Sequence, residues 1–165
     1  MTTPTSARWT SRTSSSDIEA LYAFEHVECP TRLVTKLSTV ISEVHAAVPV
    51  DGRGRLRLWV ERVADGSSLF ISPQDIVLDV RFTTADFAHE YGHFVDAALR
   101  LRHKWWRLVR SAPEVSAWSK NEYLSHRSEM LARFFEQVAA PHDVQHGYSR
   151  ATYQRLLPHF ARMVS

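Results

Sequence analysis

The sequence predicts an α+β fold: a small mixed sheet, one amphipathic helix carrying a dense polar motif, and a helical subregion at the C-terminus. Three observations carry this. Residues Arg55 to Val63 alternate charged and apolar, the period-two pattern of a half-buried strand. Phe87, Ala88, Tyr91, Phe94, Val95, Ala98, Leu99 and Leu101 fall on one broad face at a period of 3.6, as in a helix with a core side. From Trp105 onward the pattern is helical, interrupted by prolines. The chain has 165 residues, 44% of them apolar, which suits one domain with a buried core.

In chain order, residues 1–16 are rich in Ser and Thr and read as a disordered tail, leaving 17–165 as a single domain. A short helix is expected from Asp17 to about Glu25. A second runs from Thr31 to about Ala47, with Leu33, Val34, Leu37, Val40, Ile41 and Val44 at helical spacing. Pro49 and Asp51-Gly52 end it in a turn. The strand Arg55–Val63 follows. Asp65-Gly66 then suggests a hairpin, with Ser68 to Ile71 as its returning strand. Ile76 to Val80 gives one more strand after Pro73. The motif helix should start at Thr83-Thr84-Ala85-Asp86, which offers N-cap candidates and an acidic first turn, and reach about His103. Ala112-Pro113 breaks the helical run. Further helices are expected from Glu122 to Ala139 and from Arg150 to Met163, the last split or kinked at Pro158.

The motif is His89-Glu90-Tyr91-Gly92-His93. On a helix, residues four apart lie one above the other. Two imidazoles so placed can bind one Zn²⁺, and Glu90 can take a proton from a water polarised by the metal. A catalytic zinc site needs a third protein ligand. Glu129 is the expected one. It lies off the core face made by Leu124, Leu131, Phe134, Phe135 and Val138. Ser125, Ser128 and Ala132 beside it are small enough to let its helix approach the motif helix. Asp96 and His126 are rivals at this point. Asp96 is also read as an acceptor for an imidazole N–H or a partner of Arg100. Glu122, Glu129 and Glu136 recur every seven residues, as a solvated charged stripe does. Position 99 is Leu, so a third His six residues after His93 is absent.

H-E-x-G-H, followed about 35 residues later by E-M-x-A-R-x-F-E (Glu129 to Glu136), resembles the zincin-like metallopeptidase domains of large phage and mobile-element polyvalent proteins. More broadly it is similar to the gluzincins, including the minimal single-domain ones. The likeness covers roughly Leu56 to Val138. It implies a zincin-like fold, one Zn²⁺ per chain held by His89, His93 and Glu129, and Glu90 as general base of a peptidase, most simply an endopeptidase. It further implies a peptide or protein substrate laid in extended form on an edge strand before the motif helix. Ile76, Val77, Leu78, Asp79 and Val80 are expected to be that edge. The chain departs from the best-known gluzincins in one respect. Arg133 stands one turn after Glu129, where an Asp often supports the ligands. The donor for the reaction's oxyanion is expected among Tyr123, His126, His142, His146 and Tyr148, and Asp96 and Arg133 are further candidates for supporting contacts.

Composition narrows the partners. A net charge of +2 gives no general case for nucleic-acid binding. The basic run Arg100, Arg102, His103, Lys104, Arg107 and Arg110, with Trp105 and Trp106, keeps one alternative in view: a catalytically silent module of the same fold that binds protein or nucleic acid. No apolar run spans a bilayer and no signal-like segment is visible. The single cysteine, Cys29, fits a reducing compartment, and the expectation is a cytoplasmic protein. Oligomeric state is open.

Overall fold

A computed structural model describes residues 14–22, 24–49 and 55–165. Most of the expected tail and the Asp51-Gly52 turn lie outside the described residues. The fold is mixed, with seven α-helices and one four-stranded sheet among the described residues.

Helix α1 (Ser15–Tyr22) leads into strand β1 (His26–Glu28), which the sequence had not marked. A 3-10 turn at Thr31–Leu33 opens α2 (Val34–Ala47), whose Val34, Leu37, Val40, Ile41 and Val44 are buried as their spacing requires. Strand β2 (Arg57–Glu61) buries Leu58 and Val60, the apolar half of its alternation. Strands β3 (Leu69–Ile71) and β4 (Asp75–Asp79) complete the sheet in the order β1-β2-β4-β3.

The hairpin expected at Asp65-Gly66 is corrected here. Gly66 does turn the chain with φ +74°, but β2 pairs in parallel with β1 and β4, not with β3. Asp79 explains the route. Its carboxylate accepts the Val63 N–H at 3.0 Å, and its own N–H reaches Ser68 Oγ at 3.3 Å. The loop is thereby tied across the end of β4, and β3 returns on the far side, antiparallel to β4. The expected edge strand is corrected with it. Ile76 and Val77 pair on both sides, Leu78 and Asp79 pair with β2, and Val80 lies in the turn beyond. Among the described residues the edge beside β4 is β3, with Leu69 and Ile71 exposed.

Helix α3 (Thr84–Leu99) begins at a capping box: Thr83 Oγ1 accepts from the Asp86 N–H, and Asp86 accepts the Thr83 N–H at 2.7 Å. It ends four residues sooner than its periodicity suggests. Arg100 takes a left-handed conformation (φ 54°), and the buried Asp96 carboxylate accepts the Arg102 N–H at 2.6 Å and pairs with Arg102 Nε at 3.0 Å. Those bonds stop the helix and start α4 (Arg102–Val109). Helix α5 (Pro113–Trp118) follows, then turns from 119 to 126, then α6 (Arg127–Ala139), shorter at its start than expected. Helix α7 (Arg150–Val164) runs through Pro158 unsplit. Pro158 and Gln154 are exposed, so the carbonyl that loses its partner there meets water.

Two packings fix the site. Behind α6, Phe134 meets Trp105 (4.7 Å between centroids), Phe160 (5.1 Å) and Tyr148 (5.5 Å), anchoring it to α4 and α7. In front, α6 lies on α3. A Cβ on Gly92 would come within 2.9 Å of Ala132 Cα, so only glycine permits this separation. No helix among the described residues is long and apolar enough to cross a membrane.

Candidate metal centre

His89 and His93 project from the same side of α3, with Nε2 atoms 3.3 Å apart. Glu129, in the first turn of α6, brings Oε2 to 3.2 Å from His89 Nε2 and Oε1 to 3.0 Å from His93 Nε2. The three ligand atoms lie within 4.8 Å of one another, and the group can hold a metal ion. Helix spacing supplies the two imidazoles, and the Gly92–Ala132 contact supplies the carboxylate.

The donor set fits a cation. His89 Nδ1 donates to Glu136 Oε2 at 3.0 Å, so the neutral imidazole carries its lone pair on Nε2, the nitrogen facing the cluster. Burial lowers the His89 basicity, but hydrogen bonds to Glu129 and Glu136 outweigh it and raise its pKa to about 9. Burial likewise raises Glu129, yet its bonds to the two histidines hold it far below the usual carboxylate range. In the metal-free chain a proton on His89 thus balances the Glu129 carboxylate. Apart from its ion-pair contact with His89, the buried Glu129 Oε2 meets no hydrogen-bond partner among the described residues, which leaves it able to accept a metal.

Around the centre, the Phe70 ring stacks on His93 (6.3 Å, 8°), placing edge strand β3 against the cluster. Glu90 is 7% exposed. Burial raises its pKa, opposed by the charges of His89 and His93 and by a backbone hydrogen bond from Phe70. Tyr123 is exposed, with its hydroxyl 3.5 Å from His89 Nε2. A cavity of about 490 Å³ opens beside the cluster, lined among others by His89, Glu90, Tyr123, Arg133, Glu136 and His146.

Several expected residues lie elsewhere. Asp96 bonds Arg102, not an imidazole and not Arg100, because it terminates α3. His126 is an exposed N-cap position of α6 whose side chain makes no capping bond, and it is outside the metal-binding group. Tyr148 is 3% exposed, donates to the Met130 carbonyl at 2.9 Å and packs edge-on to Trp118. It belongs to the core. Arg133 faces the cavity. Trp105 is fully buried, and Arg127 covers the Trp106 ring at 4.9 Å, so the basic run presents charge more than stacking surface. Cys29 is half-buried, and burial pushes its thiol to about 11, an unreactive state.

Glu136 is the residue sequence reasoning missed. Read as part of a charged stripe, it is buried. The signal was there: seven residues is two helical turns, so Glu136 shares a face with Glu129.

Comparison of the chain with protein-family profiles, curated proteins and solved structures gives no match.

Proposed function

We propose that this chain is a zinc-dependent peptidase with a zincin-like fold, of the gluzincin type. The observation that carries the reading is the convergence of His89 and His93 on one turn of α3 with Glu129 of α6, beside a buried Glu90. Two imidazoles and one carboxylate, with a cavity alongside, are the donor set of an open catalytic zinc site. Zinc bound there supplies Lewis acidity to a water and to the substrate carbonyl. Two histidines and a carboxylate also suit non-haem iron. The carboxylate next to the first His is what favours hydrolysis.

Within this reading, Glu90 accepts a proton from the attacking water and later delivers it to the leaving amine. Its raised basicity and enclosed position suit both steps. Tyr123 presents a hydroxyl at the cavity mouth as a donor to the substrate. Strand β3 offers its free edge to an extended peptide, which main-chain hydrogen bonds would hold in register.

Elemental analysis of the purified chain beside Glu129→Ala tests the reading. The expected result is one zinc per parent chain and much less in the variant. A folded parent that takes up no zinc when supplied with it would overturn the proposal.

A further inference from the structure

A guanidinium is costly to bury without acceptors. Arg133 is 7% exposed, and its Nε is buried with no hydrogen-bond partner among the described residues. Its ion pair is loose: Nη2 stands 3.9 Å from Glu129 Oε2, and that carboxylate is already engaged by both histidines. The Tyr123 ring covers the guanidinium at 5.7 Å. Arg133 nonetheless lines the cavity with His89, Glu90 and Tyr123. The side chain is held in place, charged, and short of an acceptor.

We propose that Arg133 is a catalytic residue that holds the carbonyl oxygen of the scissile amide as it becomes an oxyanion. The inference rests on the metallopeptidase reading and adds to it. Position decides the occupant. With Nη2 3.9 Å from Glu129 Oε2, an oxygen that reaches this guanidinium from the cavity lies beside the His–His–Glu cluster, close in for a specificity side chain or a distant chain terminus. There the reacting carbonyl gains its charge. Water oxygen bonds to the carbonyl carbon, and the C=O electron pair moves onto the oxygen facing Arg133. The oxyanion pair then re-forms the C=O as the C–N bond breaks, and the amine leaves with the C–N pair and the proton that Glu90 took from the water. Arg133 stays cationic throughout and gives up no proton. A charged donor is about twice as strong as a neutral one, so Arg133 outweighs the exposed Tyr123 hydroxyl.

Two probes test this on the zinc-loaded full chain by calorimetry. N-phosphoryl-leucinamide carries tetrahedral anionic oxygens like the reacting centre. N-acetylcysteamine binds a metal through sulfur and carries none. Arg133→Gln is expected to keep one zinc, to bind the phosphoryl probe at least about 30-fold more weakly, and to bind the thiol within about 3-fold of the parent. Arg133→Lys keeps charge but not the fork, and should lose about 10-fold for the phosphoryl probe alone. It carries the test should the Gln variant not fold. Equal losses for both probes, or no loss, would overturn the role of Arg133. Loss of zinc from a folded variant would also overturn it, because Arg133 would then act through Glu129. A parent chain without zinc would instead sink the underlying reading.

Discussion

His89 Nδ1 lies 3.0 Å from Glu136 Oε2, and both side chains are buried. The contact fixes the tautomer of the first imidazole and aims its other nitrogen at His93 and Glu129. It also accounts for Arg133. His89 is held from Glu136, two turns beyond Glu129, so the position one turn beyond Glu129, Arg133, is left to face the cavity.

Glu136→Ala should therefore weaken zinc binding by about 10- to 100-fold without unfolding the chain. Chelator competition gives the affinity, and circular dichroism checks the fold. Unchanged affinity would mean that packing alone orients His89.

Gly92→Ala should cost about 1–3 kcal/mol. The added methyl meets Ala132 Cα at 2.9 Å and Phe135 Cβ at 3.0 Å, and the first is backbone that cannot step aside. Pushing α6 off α3 also moves Glu129 from the histidines, so metal affinity should fall alongside stability. Urea unfolding of the metal-free chain separates the two effects. A stability equal to the parent's would show that the helices do not touch there.

How far the sequence carried the site follows from what each residue needs. His89, Glu90 and His93 are legible because helix geometry alone sets their spacing. Glu129 was reached because small residues flank it, and Ala132 does sit at the helix contact. Glu136 and Tyr148 were misjudged because their partners are tertiary, and Asp96 because the chain turns at Arg100 and brings Arg102 back onto it. An acid in a seven-residue stripe looks solvated until its helix face is known to be covered. The strands β2, β3 and β4 were legible, whereas β1 and the strand order were not. Alternation marks β2, but pairing depends on where the loop crosses, and Asp79 decides that through bonds to residues 63 and 68.

Asp79 also predicts a pH dependence. Bonds from the Arg81 side chain and the Val63 N–H hold its pKa at about 2, below the usual value near 4. A carboxylate depressed on folding stabilises the protein above its unfolded pKa, and that contribution is lost as pH falls through the folded one. Stability should thus drop between about pH 4 and pH 2. Asp79→Asn should be less stable at pH 7 and show a flatter profile in that window. Urea midpoints across the range check this. Parallel profiles for the two proteins would remove Asp79 from the acid response.

Glu90→Gln separates an enzyme from a silent metal-binding module. The substitution preserves size and leaves His89, His93 and Glu129 in place, so zinc should remain at one per chain. It removes the only role that needs a carboxylate at this position, taking a proton from water. Positioned acid–base groups contribute about 10²- to 10⁴-fold, so hydrolysis of a peptide library should fall by at least about 100-fold. The pH profile gives a second readout. Parent activity should decline on the acid side as Glu90 takes up a proton. Residual activity in the variant should lose that limb. Cleavage by Glu90→Gln at the parent rate would make the buried carboxylate structural and remove the general base from the mechanism.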